Sequence, residues 1–413
     1  MEKEVEKIKQ LDAQIVAPPS KAHTLRAIIT AALAKGKSEI ENPLLAQDRL
    51  EAISAMEQLG AKISRNGGKL IVEGMAEINT KAVNVGSSGF LARTAIAICA
   101  TADHEITIDG SDQMRKRPVG ELCHGLTKLG AEIEFLKEIG KLPLKIRGPL
   151  KGGKITLDGS ESSQYVSALL TAAPLAIGET EIAAERLVSA PYVDITMEVM
   201  EKFGIKIEKK ENCWRVKPQP YCPANISIEG DYSAAAFFME TAAITGGKVE
   251  ISNLNPQTKQ GDIAVLEIFE KMSCKIIRNG KNVGITGPEQ LNAIDLDMQQ
   301  TPDLVPPVAV AAAFAEGKTV LRNLSHLRIK ESDRLAALME NLLKIGSKAE
   351  IRGNDLHIEG SSNIHNAIID PKNDHRIAMA FAIAGLKVGM KVENAECVNK
   401  SFPDFWEVIA RLS

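Results

Sequence analysis

The chain has 413 residues, 44% of them hydrophobic and 25% charged, and its 50 basic against 53 acidic side chains leave a formal charge of −3. That balance lacks the strongly basic footprint of a nucleic-acid-coating protein, and at roughly 150 residues per domain the length predicts two or three domains. The six cysteines (Cys99, Cys123, Cys213, Cys222, Cys274 and Cys397) contain no C-x-x-C pair, so neither a disulfide framework nor a structural zinc is expected. Met1 to Lys7 mix acids and bases without an apolar core, unlike a secretory signal. The longest apolar stretches, such as Leu304 to Ala315, are broken by Pro306 and Pro307 and fall short of the ~18 residues of a membrane span. A cytoplasmic protein with no membrane span is expected.

In chain order, six Ala-rich helical patterns each follow a small or polar turn: Ser20-Lys21, Ser87-Ser88-Gly89, Ser162-Ser163-Gln164, Asp231-Tyr232-Ser233, Thr301-Pro302-Asp303 and Asn373-Asp374-His375. Counted from Ser20, Ser88, Ser163, Tyr232, Asp303 and His375, they recur at intervals of 68, 75, 69, 71 and 72 residues, the signature of an internal repeat. A short β-branched run follows each, as in Ser38-Glu39-Ile40, Val249-Glu250-Ile251 and Thr319-Val320-Leu321. Then comes an amphipathic helix with apolar residues three and four apart: Leu122, Leu126 and Leu129; Ile195, Val199 and Phe203; Val265, Ile268, Phe269 and Met272; Leu335, Leu338, Leu342 and Ile345. Four repeats close this helix on a glycine (Gly60, Gly130, Gly204 and Gly346), which reads as a left-handed cap before the next strand, whereas the fourth repeat has Ser273 there. The sixth repeat starts a helix at Phe402-Pro403-Asp404 and reaches Ser413 without a closing strand, which Ile15-Val16-Ala17 is expected to supply.

The run Ile377 to Ala384 is apolar all round, so a helix made of it must be buried, while the amphipathic helices face solvent. The fold class is therefore α/β, with inner helices against sheets and outer helices in water. Six repeats divide into two domains of three. Residues 20–228 form one, residues 1–19 and 229–413 form the other, and a cleft between them is the expected active site.

The inner-helix starts carry polar and charged groups that a core does not need. A buried helix N-terminus offers unpaired amides and a partial positive charge, hence an anion site. Lys21 and Arg26 lie on the first such helix, Gly89 and Arg93 on the second, and Ser162, Ser163 and Gln164 open the third. Cationic loops precede the outer helices: Met114-Arg115-Lys116-Arg117-Pro118, Arg328 to Arg334, and Asn399-Lys400-Ser401-Phe402-Pro403. Any one such run is usually a solvated surface. Several in register point to a multiply anionic small molecule, because the guanidinium fork matches carboxylate and phosphate. Asp303 and Glu331 stand among these cations as candidate proton carriers. No Walker A, G-x-G-x-x-G or H-E-x-x-H motif supports a nucleotide, dinucleotide or metal reading.

Nine ordered segments resemble the 5-enolpyruvylshikimate-3-phosphate synthase (3-phosphoshikimate 1-carboxyvinyltransferase) family: Pro19-Ser20-Lys21 through Arg26, Gly89 through Arg93, Arg117-Pro118, Ser162-Ser163-Gln164, Ser189-Ala190-Pro191-Tyr192, Pro302-Asp303, Lys330 through Arg334, Asn373 through Arg376, and Lys400 through Pro403. The resemblance implies two domains of three βαβαββ units, the inside-out α/β barrel type, and a monomer using no metal or organic cofactor. It implies that Lys21, Gly89, Arg117, Gln164, Arg334, Arg376 and Lys400 surround phosphoenolpyruvate. Lys21, Arg26, Ser162, Ser163, Gln164, Ser189, Asp303 and Lys330 would hold shikimate 3-phosphate, and Asp303, Glu331 and Lys21 would move protons. Glyphosate, which resembles bound phosphoenolpyruvate, would compete with it.

The chain departs from the family pattern at Pro18-Pro19-Ser20-Lys21-Ala22, where Ala22 replaces a serine, at Ser87 and Phe90 around Gly89, and at His326, a place often held by Asn. The sister enolpyruvyl transferase acting on UDP-N-acetylglucosamine carries a reactive cysteine just before the arginine matching Arg117, whereas Ser111 to Met114 contain none. A non-enzymatic repeat scaffold for RNA or protein would show a basic, aromatic face, and aromatics are 4% of the chain.

Overall fold

The computed structural model describes residues 1–44 and 46–412. By their internal contacts the chain forms two compact units, Pro19–Ile228 on one side and Met1–Pro18 with Glu229–Ser413 on the other.

In the unit Pro19–Ile228 three inner helices, α1 (Lys21–Leu33), α3 (Gly89–Cys99) and α5 (Gln164–Ala172), alternate in sequence with three outer ones, α2 (Gln47–Leu59), α4 (Gly120–Lys128) and α6 (Pro191–Lys202). Every residue of α3 is buried. On α4 the buried set is Leu122, Cys123, Gly125 and Leu126, the single stripe of an amphipathic helix. Each repeat adds a four-stranded sheet, and in all three sheets one parallel pair adjoins two antiparallel ones. The parallel partner of Lys37–Glu41 is Asn225–Ser227, from the far end of the unit. The last strand thus returns to complete the first sheet.

The other unit repeats the plan with inner helices α7 (Tyr232–Thr245), α9 (Val305–Ala313) and α11 (His375–Val388) and outer helices α8 (Val265–Lys271), α10 (Arg334–Lys344) and α12 (Phe405–Leu412). Here the N-terminal segment departs from expectation. The strand Asp12–Val16 pairs in parallel with Lys248–Ser252 of the fourth repeat, not with the sixth. The sixth repeat is completed by Lys3–Val5, antiparallel to Met390–Val392. The physical reason is register: Asp12–Val16 takes the parallel position that Asn225–Ser227 takes in the other unit, and the antiparallel place beside Met390–Val392 falls to the strand before it. Among the described residues the sheets remain separate, so each unit is an α/β assembly of individual sheets around buried helices rather than one hydrogen-bonded barrel.

Two backbone features recur with the repeat. A Cβ added at Gly74, Gly148, Gly287 or Gly360 would lie 1.9, 2.0, 2.0 or 1.7 Å from the carbonyl oxygen of Ala34, Ala100, Ala242 or Ala315. Glycine lets the chain pass that close to the end of an inner helix. After the outer helices Gly60, Gly130, Gly204 and Gly346 take φ of 116, 106, 85 and 91°, and Ser273 takes φ 77° at the matching place in the fourth repeat. The missing glycine therefore does not change the turn; a serine is held in the left-handed region instead.

Candidate active site

In the unit Pro19–Ile228 the starts of the inner helices collect the expected groups. Ser20 caps α1, its Oγ accepting from the His23 amide, so Lys21 is the first helical residue. The Lys21 ammonium lies 2.6 Å from the buried Asp48 carboxylate on α2. Arg26, one turn further and buried, donates to Thr196 Oγ1 at 2.7 Å, to Ala22 O at 3.0 Å and to Tyr192 O at 3.0 Å. Its guanidinium sits 4.1 Å from the centre of the Phe90 ring. Phe90 is thus a cation–π partner for Arg26, a role the sequence did not reveal. Burial pushes the Arg26 pKa down to about 9.

Gly89 opens α3, and around it the guanidinium groups of Arg93 and Arg117 crowd together. A Cβ there would stand 2.3 Å from Arg117 Nη1 and 2.8 Å from Arg93 Nη1. The space left by the missing side chain is therefore taken by two arginines. Arg93 is 1% exposed and donates to Gly89 O and Gln164 Oε1, both at 3.0 Å, and to Pro118 O at 2.8 Å. Burial, then the neighbouring Arg117 charge, lower its pKa to about 10. Gln164 begins α5, and its amide donates to Ser162 Oγ at 3.2 Å. Ser163 occupies the cap position without a side-chain cap bond. Ser189 is buried with φ 54°, and its hydroxyl has no hydrogen-bond partner among the described residues. A strained backbone and an orphan hydroxyl together mark a place where a ligand could bind.

Not every cation of the loop Met114 to Pro118 joins this cluster. Arg115 turns to Asp109 at 2.6 Å and Asp112 at 3.0 Å, while Arg117 reaches Gly89.

In the other unit the groups converge on Arg334, the first residue of α10 and 1% exposed. Its Nε and Nη2 donate to Asp374 at 2.8 and 3.3 Å, Nη1 to Asp303 Oδ1 at 3.0 Å, and Nη2 also to Glu331 Oε2 at 3.0 Å. Burial alone would lower its pKa, but the carboxylates of Asp374, Glu331 and Asp303 outweigh that and raise it. Arg376 donates to Asp303 Oδ2 at 2.7 Å, and Lys400 Nζ stands 3.6 Å from Glu331 Oε1. Asp374 caps α11 through the Arg376 amide. Asp303, Glu331, Arg334, Arg376 and Lys400 are one network, whereas Arg328 pairs with Asp333 at 3.3 Å. Lys330 follows the turn Ser325–Ile329, and its charge acts on His326. That imidazole is buried, with both ring nitrogens unpartnered among the described residues. Burial, then Lys330 and Arg334, lower its pKa to about 3, which keeps it neutral at pH 7.

Sequence reasoning left Asp48 and Asp262 out of the site. Asp48 lies in the first turn of an outer helix, where an acidic residue is ordinary. Asp262 is buried, bonded to the Ser233 hydroxyl, and its pKa is raised by burial and by the Asp303 charge. Neither had a signal separating it from a helix-start carboxylate.

Among the described residues no helix is long and apolar enough to cross a membrane. The family model for EPSP synthase (3-phosphoshikimate 1-carboxyvinyltransferase) matches residues 5–409. A 3-phosphoshikimate 1-carboxyvinyltransferase of Syntrophobacter fumaroxidans is 39% identical, with all of both chains covered, and one of Methanosphaerula palustris is 38% identical over 97% of this chain and 96% of its own. A solved EPSP synthase from Acinetobacter baumannii superposes with a TM-score of 0.84 at 27% identity, covering 100% of this chain and 98% of that one. With its repeats, its two cation clusters and these full-length likenesses, the chain belongs to the EPSP synthase (3-phosphoshikimate 1-carboxyvinyltransferase) family.

Proposed function

We propose that this protein transfers the carboxyvinyl group of phosphoenolpyruvate to the 5-hydroxyl of shikimate 3-phosphate and releases phosphate, a step of aromatic amino acid biosynthesis. The observation that carries the reading is the crowding of Arg93 and Arg117 around the Gly89 backbone. Arg93 donates to the neutral oxygens of Gly89, Gln164 and Pro118, while burial and then the like charge of Arg117 depress its pKa. An anion bound there relieves that repulsion. Family membership and the relatives' names support the same reaction and do not favour the UDP-N-acetylglucosamine or scaffold alternatives.

In this reading Lys21, Gly89, Arg117, Gln164, Arg334, Arg376 and Lys400 bind phosphoenolpyruvate. Lys21, Arg26, Ser162, Ser163, Gln164, Ser189, Asp303 and Lys330 bind shikimate 3-phosphate. Arg26 is already fixed by three oxygens and the Phe90 ring, so it presents its charge in a preset orientation. The orphan Ser189 hydroxyl gains a partner when substrate arrives. Chemically, the 5-hydroxyl loses its proton and its oxygen bonds to C2 of phosphoenolpyruvate while C3 takes a proton. C3 then returns that proton as the C2–O bond to phosphate breaks. Asp303, Glu331 and Lys21 are the assigned proton carriers. Asp303 and Glu331 share Arg334, which steadies both as acceptors.

The simplest form of the proposal is a cytoplasmic monomer acting without metal or organic cofactor. Phosphate release measured in chelator-treated buffer tests it. Release should require shikimate 3-phosphate and phosphoenolpyruvate together; release with UDP-N-acetylglucosamine instead, or dependence on an added divalent metal, would overturn it. Size-exclusion chromatography with light scattering checks the monomer.

A further inference from the structure

Phe90 follows Gly89 at the start of α3, and its ring lies against Arg26 of α1, with the guanidinium carbon 4.1 Å from the ring centre. Both side chains are buried, Arg26 at 4% and Phe90 at 7% exposure. The guanidinium donates only to neutral oxygens: Nε to Thr196 Oγ1, Nη1 to Ala22 O and Nη2 to Tyr192 O. Among the described residues no carboxylate acts on it. A buried charge without a counter-ion is costly, and here the groups that face it are aromatic, Phe90 at 4.1 Å and Tyr192 with its ring centre at 6.0 Å. The pairing recurs one repeat on, where Arg93 stands 5.4 Å from the centre of the Tyr165 ring.

The choice of a ring has a chemical consequence. A guanidinium carries all its N–H groups in one plane, one on Nε and two on each terminal nitrogen. The bonds to Thr196, Ala22 and Tyr192 use one hydrogen on each nitrogen, so Nη1 and Nη2 each keep a second donor. A carboxylate in the place of Phe90 would neutralise Arg26 and take those donors from the substrate. An aliphatic side chain would cover the face without attracting it. An aromatic ring attracts the cation through its π face and consumes no N–H. Bonds at the edge of the guanidinium resist rotation within its plane but yield more easily to tilt out of it; attraction to a ring on one face opposes that tilt. The ring is itself anchored, since Thr94 Oγ1 donates to Phe90 O at 2.9 Å.

We propose that Phe90 is a positioning residue that takes the place of a counter-ion: its ring face holds the buried Arg26 guanidinium at a fixed tilt and leaves the remaining Nη1 and Nη2 hydrogens for an oxyanion of shikimate 3-phosphate. The inference rests on the reading above, in which Arg26 binds that substrate. It gives Phe90, one of the positions where the chain departs from the family pattern, a part in substrate affinity that belongs to the electrostatics of its ring and not to its bulk. Phe90 acts through Arg26 alone and touches no reacting atom, so it should govern the Michaelis constant for shikimate 3-phosphate and leave the chemical step as it is.

The test is steady-state kinetics of the full chain with each substrate varied in turn. Phe90→Leu keeps an apolar side chain but no π face, and Phe90→Tyr keeps the ring. Phe90→Leu should raise the Michaelis constant for shikimate 3-phosphate by roughly five- to thirtyfold, while turnover and the constant for phosphoenolpyruvate change by less than about twofold. Phe90→Tyr should stay close to wild type. Should the leucine variant fail to fold, pentafluorophenylalanine at position 90 keeps nearly the same shape with the charge on its face inverted, and it should raise the same constant. An unchanged or lower constant for shikimate 3-phosphate would mean that the ring only covers the charge. An equal rise for both substrates would mean that Phe90 acts on the Gly89 backbone. Either result overturns the inference. Urea denaturation without ligand gives a second answer: Phe90→Leu should cost less stability in an Arg26→Gln background than in wild type, and an equal cost in both would make Phe90 an ordinary core residue. A wild type that does not turn over shikimate 3-phosphate would defeat the functional reading; a wild type that does, with constants unmoved in Phe90→Leu, defeats this inference alone.

Discussion

Gly89 and Arg117 occupy each other's space: a methyl group on Gly89 would lie 2.3 Å from Arg117 Nη1. The colliding atom is the far end of a flexible side chain, so Gly89→Ala should fold, with Arg117 displaced by about an ångström to restore ordinary contact. The displaced guanidinium can no longer meet its anion squarely. The Michaelis constant for phosphoenolpyruvate should rise at least several-fold, with that for shikimate 3-phosphate less affected. Glyphosate, the longer ligand, should lose more affinity than phosphoenolpyruvate. Steady-state kinetics with each substrate varied in turn decide it, and unchanged constants for phosphoenolpyruvate and glyphosate would remove Arg117 from the anion site.

Asp303 accepts from Arg334 with one oxygen and from Arg376 with the other. Asp303→Asn turns an amide donor toward one of these guanidinium groups, so it breaks a buried charged bond as well as removing a titrating group. Glu331→Gln keeps an oxygen for Arg334 but removes the negative charge that stands 3.6 Å from Lys400. Both variants should lose roughly 10²-fold or more in turnover. Only Asp303→Asn should also lower the thermal midpoint by a few degrees. Near-normal turnover in Glu331→Gln would reduce Glu331 to a counter-ion of Arg334.

The repeat was legible because each copy carries the same local physics: a polar helix start, an apolar Ala-rich helix and an amphipathic one. Partners across the fold were not legible. Ile15-Val16-Ala17 shows a strand, yet nothing in it says that Asp12–Val16 pairs with the fourth repeat while Lys3–Val5 pairs with the sixth. The cations of the site could be read off as arginines at helix starts. Their direction could not, since Arg115 and Arg117 stand two residues apart and only the former turns to Asp109. His23 and Glu198 stand 175 residues apart with no sequence signal that pairs them, and the structure puts them 3.3 Å from each other.

Ser273 gives a stability prediction. It holds φ 77° where four other repeats have glycine, and a left-handed residue with a Cβ costs about 1–2 kcal/mol. Glycine loses some of that advantage through greater freedom in the unfolded chain. The Ser273 hydroxyl also accepts an exposed bond from Asn292 at 2.7 Å, which glycine gives up. Ser273→Gly should therefore stabilise by about 0.5–1 kcal/mol, seen as a higher urea midpoint with an unchanged slope. A lower midpoint would mean that the Asn292 bond outweighs the backbone strain.

Glu240 gives the clearest pH dependence. It sits within α7, is wholly buried, and neither carboxyl oxygen has a hydrogen-bond partner among the described residues. Burial raises its pKa well above the ordinary 4.5, so the folded protein holds this proton to higher pH than the unfolded chain does. In the unfolded chain it ionises normally. Below pH 4.5 both states hold the proton and the group adds no pH dependence. Above that pH the unfolded state alone gains the freedom to ionise, so folding is progressively penalised, by about 1.4 kcal/mol per pH unit, until the raised folded pKa is reached. Glu240→Leu is of similar volume and removes both the titration and the unpaired polar atoms. The variant should be more stable than wild type already at pH 5, and the gap in unfolding free energy should widen as the pH rises further above 4.5. Chemical denaturation at pH 5, 6, 7 and 8 measures it. A gap that stays constant with pH would show that Glu240 ionises alike in both states, and a less stable leucine variant would show that the carboxyl has a partner in the core.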